Sequence, residues 1–179
     1  EYDDKRRNVR DIKDKYLRIH QHYVFLFDIL FGKYNHSHVL FVEDDLELAP
    51  TSLDFIRQVV SVLDFDPSLL CISLFNDNAL ILVLSLTIRQ AEDLDPLVLH
   101  RTSQIPNLGL MFNRRGYERV WKGVNINFST NGWDHWLRER TAALKLEGIY
   151  PSYPRLHHLL YNEGTTTNLR RNKRIANIP

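Results

Sequence analysis

The sequence contains a single cysteine, Cys71, so no disulfide can form within the chain and cysteine usage does not indicate a redox compartment. Long hydrophobic runs are also missing: the longest, residues 79–88, is about half of the ~20 residues that a membrane-spanning helix needs. Neither charge dominates, with 23 Lys plus Arg against 22 Asp plus Glu. This balance argues against a general affinity for nucleic acid.

The amino terminus has neither an initial Met nor an apolar stretch that resembles a signal peptide, and we expect the chain to begin inside a longer protein. With 179 residues, of which 44% are hydrophobic, the chain is long enough for one domain with a core. One domain is therefore the working expectation.

The first half of the chain alternates between helical and strand patterns. Apolar residues recur every three or four positions over residues 16–31, which predicts a helix ending at Gly32. The apolar run at residues 39–42 predicts a strand buried on both faces of a parallel sheet, and another strand is predicted over residues 69–75. The order helix, strand, helix, strand is typical of an α/β fold with a mostly parallel sheet.

The second of these helices is predicted between residues 50 and 66, where Asp66-Pro67 ends it. Its start carries Thr51 and Asp54 at the spacing of a capping box, and an apolar stripe follows at Leu53, Ile56, Val59, Val60 and Leu63.

The second half gives a looser pattern. A short strand is predicted over residues 110–112, followed by a helix that Asn113 caps and that runs through Trp121. A longer helix is predicted from residue 133 to residue 147, with Gly148 as its stop. Residues 150–179, rich in Pro, Tyr, His and Thr and then basic, are expected to form a loop and a frayed tail.

Three adjacent carboxylates, Glu43, Asp44 and Asp45, follow the predicted strand at residues 39–42. Ligands of open α/β sheets bind outside the carboxyl ends of the strands. Adjacent carboxylates repel one another, and their hard oxygens suit Mg²⁺ or Mn²⁺. The alternative is that they are solvated in a loop and favour the positive end of the next helix.

A second carboxylate, Asp134, lies between Trp133 and Trp136 at the predicted start of a helix. Its simplest role is helix stabilisation, because a negative charge is favoured at that end. The flanking indole rings are an argument for a sugar site, since aromatic faces cover the apolar faces of pyranose rings. Both interpretations stay open at this point.

The histidines give weaker signals. His22 falls on the helical row of the predicted first helix, where a half-buried residue packed in the helix interface is the simplest interpretation. His157 and His158 are adjacent on a predicted loop, without a Cys or third His at ligand spacing, so a zinc site is not expected.

Several motifs, taken in order, resemble glycosyltransferase family 13 over roughly residues 16–168. They are VEDDLELAP at 42–50, DPSL at 66–69, CIS at 71–73, NDN at 76–78, PNLG at 106–109 and WDHWLR at 133–138. The resemblance implies a Rossmann-like, GT-A type fold and an inverting transfer of N-acetylglucosamine from UDP-N-acetylglucosamine to the 2-hydroxyl of a mannose. It also implies a Mn²⁺ cofactor, a mannose-terminated glycan acceptor, and residence at the lumenal face of the Golgi membrane through an anchor outside this chain.

The resemblance also implies roles for individual residues. Asp45 matches the family's metal ligand, Asp44 a residue that contacts the donor, and Glu43 its neighbour at the sugar. Asp134 matches the general base, with Trp133 beside it at the substrate. Two further donor contacts are implied at His22, which matches a uracil-contacting histidine, and at Arg155, which belongs to a loop closing over the diphosphate.

Departures from the family pattern accompany these matches. The closing loop has Pro154 where the family has serine, and Cys71 matches a disulfide-bonded cysteine whose partner position falls at Gly148. Residues 79–92 form an apolar insertion without counterpart. The family's first strands, anchor and stem precede the matched region, so we expect residues 1–149 to be a partial nucleotide-sugar-binding and catalytic domain lacking its first strands, and residues 150–179 the donor-closing loop region and basic tail.

Two other functions compete with this one. A truncated or inactive relative could act only as a binding module for a glycan or protein, as Pro154 and the missing strands would allow. A metal-dependent phosphohydrolase would need a second carboxylate cluster to hold a second ion. The sequence offers no convincing second cluster, and it does not distinguish an N-glycan from an O-mannosyl acceptor.

Overall fold

The computed structural model describes residues 2–76, 95, 97–124 and 132–159. The expected insertion at residues 79–92 and the basic tail lie outside the described residues. The helices of this part are α1 (Tyr2–Phe27), α2 (Ser52–Phe65), α3 (Arg114–Gly116) and α4 (Trp133–Ala143), with π-helical extensions of α1 over Asp28–Lys33 and of α3 over Tyr117–Trp121. The strands are β1 (His38–Phe41), β2 (Leu46–Leu48), β3 (Leu69–Ser73), β4 (Leu99–Thr102), β5 (Leu110–Asn113), β6 (Glu147–Pro151) and β7 (Leu156–His158).

Five strands form one mixed sheet in the order β1-β5-β3-β6-β4, and β2 pairs with β7 in a separate two-stranded sheet. Among the described strands of this sheet, only β3 and β6 run parallel; β1 with β5, β5 with β3, and β4 with β6 are antiparallel. The α/β class is confirmed, whereas the prediction of a mostly parallel sheet is wrong. A strand covered on both faces is apolar throughout whichever way its neighbours run, so the apolar runs carried no information about direction.

Strand β1 shows the same error locally. It lies at one edge of the sheet, and its first three residues are only half-buried. The fully buried strand is β3, whose five residues all lie in the interior between β5 and β6. The predicted strands at β3 and β5 are confirmed, and Asn113 caps α3 as expected, with its side chain accepting a hydrogen bond from the Gly116 amide at 2.9 Å.

The predicted start and end of α2 are confirmed, but the predicted capping box is wrong. Thr51 makes no capping hydrogen bond with its side chain, and Asp54 instead pairs with Arg57 at 3.0 Å on the helix surface. Ser52 donates to the carbonyl oxygens of Ala49, at 2.7 Å, and of Arg155. These bonds attach the start of α2 to the segment before β7.

The end of α4 also differs from the prediction. Lys145 adopts a positive φ of 53°, and the Lys145 and Leu146 amides donate to the carbonyls of Ala142 and Thr141 in a Schellman-type arrangement. Gly148, predicted as the stop signal, lies within β6 and pairs with Cys71 of β3. Sheet pairing has overridden the helical pattern here. The loop expected from residue 150 is likewise wrong where β6 and β7 form, and the expected division at 149/150 falls within β6.

The two faces of the large sheet are covered by different cores, because successive strand residues point to opposite faces. We call the first the aromatic core; its rings belong to Tyr23, Phe27, Phe31, Phe41, Phe112, Tyr117, Trp121 and Trp133. We call the second the aliphatic core; it contains Leu46, Phe55, Ile56, Val59, Leu63, Leu69, Ile72, Leu74, Phe75, Met111, Ile149 and Leu156. Helices α1 and α4 cover the aromatic core, and α2 covers the aliphatic core.

Among the described residues, no helix combines the length and the apolar character required to cross a bilayer.

Candidate functional site

The acidic triplet occupies the short turn between β1 and β2. Glu43 and Asp45 are half-buried and Asp44 is exposed. The Leu46 amide donates to the Glu43 carbonyl at 3.2 Å, which closes the turn, and the Leu159 amide donates to the Asp45 carbonyl at 2.7 Å. The turn is therefore held at both ends, by its own backbone and by the segment that follows β7.

Tyr23 on α1 contacts the triplet directly. Its hydroxyl donates a hydrogen bond to Glu43 Oε1 at 2.6 Å, while its side chain is 8% exposed. Burial raises the pKa of the Tyr23 phenol well above its ordinary value, and the neighbouring charges of Glu43 and Asp45 raise that pKa further. The phenol therefore stays neutral and acts as a hydrogen-bond donor to the triplet.

The other face of the same tyrosine contacts the second predicted motif. The rings of Tyr23 and Trp133 stack with centroids 4.1 Å apart. Trp133 is the first residue of α4 and is 7% exposed, so its ring lies in the aromatic core. That Trp133 covers a sugar ring stays a prediction; its described ring contacts are with Tyr23 and, at 6.4 Å, Trp121.

Asp134 is half-buried in the first turn of α4, where the positive end of the helix favours a negative charge. Gly132 precedes the helix with a φ of 94°, a conformation that L residues rarely adopt. A Cβ atom at Gly132 would lie 2.7 Å from Asp134 Oδ1. The glycine thus serves both the backbone turn into α4 and the position of the Asp134 carboxylate.

The histidines of α1 are placed differently from the expectation. His22 is exposed, so the interpretation that it packs in the helix interface is wrong, and its contact with a nucleotide stays a prediction. The buried histidine is His20, which is 1% exposed and packs against the rings of Trp121, at 6.2 Å, and Trp136, at 4.9 Å. Burial lowers the pKa of His20.

Arg155 lies at the opposite end of the β2–β7 pair from Asp45. Its backbone carbonyl accepts from the Ala49 amide at 3.0 Å, whereas the Leu159 amide reaches Asp45. The Arg155 guanidinium contacts Thr51 Oγ1 at 3.2 Å and lies 5.2 Å from the centroid of the Phe55 ring. It lines a cavity of about 270 Å³ between α2 and the start of β4. The structure does not bring this side chain to the triplet, and its contact with a diphosphate stays a prediction.

The donor set of the turn suits a hard divalent cation. Asp44 and Asp45 offer carboxylate oxygens, the ligands that Mg²⁺ and Mn²⁺ prefer. In the part of the chain that the structure describes, no three His, Cys, Asp or Glu side chains are grouped so as to hold a metal ion. A cation here would complete its coordination with water and phosphate oxygens, as is common where a metal binds together with a phosphorylated substrate.

Tyr23 and Gly132 are the two site residues that the sequence did not reveal. Tyr23 falls within the apolar pattern at residues 16–31 that predicts the first helix, and a buried tyrosine hydroxyl needs a hydrogen-bond partner and so indicates a polar neighbour. Gly132 stands directly before a predicted helix start, where a residue with positive φ favours glycine. The tyrosine signal does not identify its partner, because Glu43 is distant from Tyr23 in sequence. The glycine signal does not reveal that a Cβ atom there would approach Asp134, although Asp134 is close in sequence.

Gly148, the position that the family resemblance implies for a disulfide partner of Cys71, lies directly beside Cys71 in the structure. Gly148 is the partner of Cys71 in the parallel β3–β6 pairing, and a Cβ atom built on Gly148 lies 3.4 Å from the Cys71 sulfur. The thiol is completely buried, and burial raises its pKa. The family resemblance, which implies a cysteine at the position of Gly148, therefore agrees with the pairing of β3 with β6.

Comparison with known proteins identifies the family. The GNT-I family model matches residues 7–166. An alpha-1,3-mannosyl-glycoprotein 2-beta-N-acetylglucosaminyltransferase from Arabidopsis thaliana is 32% identical over 143 residues, which is 80% of this chain and 29% of the relative. The chain thus spans less than a third of the length of that relative. Because the family match extends over most of the sequence and includes both motifs that Tyr23 connects, the chain belongs to the GNT-I family.

Proposed function

We propose that this chain forms part of an inverting glycosyltransferase of the GT-A type, which transfers N-acetylglucosamine from UDP-N-acetylglucosamine to the 2-hydroxyl of a mannose on a glycoprotein glycan. The observation that carries the proposal is the connection between the two carboxylate motifs. The Tyr23 hydroxyl donates a hydrogen bond to Glu43 at 2.6 Å, and the Tyr23 ring stacks on Trp133 with centroids 4.1 Å apart. Trp133 is the residue directly before Asp134. A metal and donor site and a base are needed together in such a reaction, and this contact holds their two segments together.

Asp134 is the general base of the proposed reaction. It takes the proton from the mannose 2-hydroxyl as that oxygen attacks the anomeric carbon of the donor sugar. The new bond joins the mannose oxygen to the anomeric carbon, the bond from that carbon to the diphosphate breaks, and UDP leaves with the electron pair. Attack opposite the leaving group inverts the configuration at the anomeric carbon.

Asp45 is the proposed protein ligand of Mn²⁺, with Asp44 and Glu43 contacting the donor. Held at Asp45, Mn²⁺ would supply Lewis-acid stabilisation for the negative charge that develops on the leaving UDP. Among the described residues no three ligand side chains are grouped to hold a metal, which fits this arrangement, because phosphate oxygens and water would supply the remaining coordination.

His22, Trp133 and Arg155 complete the proposed substrate contacts, at the uracil, the sugar and the diphosphate respectively. The exposed side chain of His22 is accessible to a nucleotide. Arg155 would have to leave Thr51 and Phe55 to reach a diphosphate, which fits a loop that changes position when the donor binds. The Golgi lumen is the proposed location, and the acceptor is an N-glycan or an O-mannosyl glycan.

Turnover of UDP-N-acetylglucosamine tests the proposal. The assay contains Mn²⁺ and a mannose-terminated acceptor, and compares the natural protein at its full length with the 179-residue chain. Asp45→Asn removes the proposed metal ligand, and Glu47→Gln is its matched control, since Glu47 is an exposed carboxylate two residues further along the chain, in β2. We expect Mn²⁺-dependent transfer by the full-length protein, loss of transfer in Asp45→Asn and unchanged transfer in Glu47→Gln.

The outcomes separate the competing functions. A full-length protein that binds the glycan without transferring sugar would support the binding-module alternative and contradict the transferase. Equal losses in Asp45→Asn and Glu47→Gln would show that removal of charge alone matters, and would contradict the role of Asp45 as the metal ligand. Activity of the full-length protein without activity of the 179-residue chain would leave the transferase intact and show that the chain needs further segments.

A further inference from the structure

The Tyr23 hydroxyl makes a contact that packing alone does not require. The ring of Tyr23 is already held in the aromatic core, stacked on Trp133 and 5.9 Å from the ring of Phe41. A phenylalanine would make the same ring contacts. The hydroxyl adds only the hydrogen bond to Glu43, at the point where the core meets the acidic turn.

This hydrogen bond restricts the Glu43 carboxylate from one side. The donor is buried and neutral, so it always presents a proton to Glu43 Oε1. Hydrogen bonds to a charged acceptor are stronger and more directional than those between neutral groups. The rigid stack with Trp133 fixes the phenol, and the phenol in turn limits the orientations of the carboxylate.

We propose that Tyr23 is a positioning residue for donor binding: its hydroxyl orients the Glu43 carboxylate toward the sugar of the nucleotide donor, and its ring fixes the acidic turn relative to the start of α4. The inference rests on the proposed function, since it assigns Glu43 to the donor. Tyr23 acts through Glu43 and need not touch the substrate itself. Its loss therefore weakens donor binding more than it slows the chemical step.

A second tyrosine in the same core supplies a matched control. The Tyr117 hydroxyl donates to Asp28 Oδ1 at 2.9 Å, and Tyr117 is 5% exposed and stacks on Phe31 at 5.3 Å. It is thus also a buried tyrosine bonded to a carboxylate within the aromatic core. Asp28 is not part of the acidic turn and has no role in the proposed donor site. Tyr117→Phe therefore removes the same chemical group without affecting that site.

The experiment measures KM for UDP-N-acetylglucosamine, kcat and the thermal midpoint in the full-length protein and its Tyr23→Phe and Tyr117→Phe variants. Both variants are expected to lower the midpoint by a similar amount, because each loses one partly buried hydrogen bond from a tyrosine hydroxyl to a carboxylate. Only Tyr23→Phe is expected to raise the donor KM, by about five- to tenfold with little change in kcat, which is the signature of lost binding shared by ground and transition states.

A double-mutant cycle tests whether the effect passes through Glu43. With Glu43→Ala in place, the further change Tyr23→Phe is expected to leave KM unaltered, since the carboxylate that the hydroxyl positions is gone. Donor binding followed by tryptophan fluorescence repeats the comparison without turnover. A KM in Tyr23→Phe equal to that in Tyr117→Phe, or additive effects in the cycle, would overturn the inference. A wild-type protein that neither binds nor turns over the donor would instead contradict the proposed function.

Discussion

The cores on the two faces of the large sheet differ in whether they contact the segments of the candidate site. The aromatic core reaches the acidic turn through Tyr23 and the start of α4 through Trp133. The aliphatic core lies under α2 and includes Leu46 and Leu156 of the β2–β7 pair, and its aromatic members among the described residues are Phe55 and Phe75. We interpret the first as a core that also orients functional residues, and the second as a core that mainly stabilises the fold. We therefore expect substitutions in the two cores to differ in their effect on donor binding.

The largest expected effect comes from removing the central ring of the aromatic core. Trp121 is completely buried and stacks on Phe27 with centroids 4.1 Å apart. Trp121→Ala is expected to cost about 3–5 kcal/mol of unfolding free energy and to weaken donor binding, because Trp133 and Tyr23 lose a neighbour.

Leu63, also completely buried, provides the comparison in the aliphatic core. Leu63→Ala is expected to cost about 2–5 kcal/mol without changing donor affinity in the folded protein. Urea unfolding measures the stabilities, and donor titration at a temperature where both variants are folded measures the binding. Weakened donor binding in both variants would remove the distinction between the two cores.

The next largest change in stability is expected from a disulfide between the neighbouring strands β3 and β6. Gly148→Cys places a second thiol beside Cys71, where a Cβ atom lies 3.4 Å from the existing sulfur and 3.1 Å from Ile105 Cγ1. We expect the bond to form under oxidising conditions and to stabilise the fold by about 2–4 kcal/mol. Mass spectrometry and thiol titration detect it, and Cys71→Ala with Gly148→Cys is the control. Two free thiols in the oxidised variant would contradict the pairing of β3 with β6 in this register.

Gly132→Ala is expected to cost less stability than the core substitutions and to reduce kcat. The φ of 94° at Gly132 costs an alanine about 1–3 kcal/mol, and its Cβ would displace the Asp134 carboxylate. Gly123→Ala is the matched control, since Gly123 also has a positive φ, of 71°, but a Cβ there meets nothing within 4 Å. We expect similar thermal midpoints for the two variants and reduced kcat only for Gly132→Ala. Equal kcat values would show that Asp134 tolerates the displacement.

The smallest expected effect is a pH dependence from His20. The unfolded chain takes up a proton at this residue near its ordinary pKa of 6.5, whereas burial lowers the pKa in the folded state. The unfolded state therefore binds more protons as the pH falls, and the contribution of His20 to stability is full above about pH 6.5 and is lost below it, with a slope of at most ~1.4 kcal/mol per pH unit.

His20→Gln is expected to flatten the dependence of stability on pH below 6.5. His135→Gln, at an exposed histidine on α4, is expected to leave that dependence unchanged. Urea unfolding between pH 5 and pH 8, roughly the range in which histidine titrates, makes the comparison. An unaltered slope in His20→Gln would show that His20 keeps its ordinary pKa in the folded protein.

The sequence predicted those elements whose signals are local. The start of α2, its end at Asp66-Pro67, the buried strand β3 and the Asn113 cap each depend on a few neighbouring residues, and the structure agrees with all of them. Strand direction and the strand β6 depend on partners far along the chain. Local periodicity therefore favoured a helix through residue 147, whereas pairing with β3 and β4 made Glu147 the first residue of a strand.

The candidate site was predictable as residue types but not as an arrangement. The acidic triplet and Asp134 were recognisable because they follow a strand and begin a helix. Tyr23 and Gly132, which set the geometry, have no motif of their own; their importance follows from a hydroxyl 2.6 Å from Glu43 and a Cβ position 2.7 Å from Asp134. The contact of Tyr23 with Glu43 exists only once α1 and the acidic turn have come together, and the contact at Gly132 exists only once α4 has formed behind it.

The most direct test of the central claim, that Asp134 is the base of a sugar transfer, is the turnover number of Asp134→Asn in the full-length protein. Glu139→Gln is the matched control, because Glu139 is an exposed carboxylate on the same helix. If Asp134 is the base, Asp134→Asn binds UDP-N-acetylglucosamine with wild-type affinity and lowers kcat by about 10²–10⁴-fold, while Glu139→Gln retains wild-type kcat. A kcat in Asp134→Asn equal to that of the wild type would contradict it.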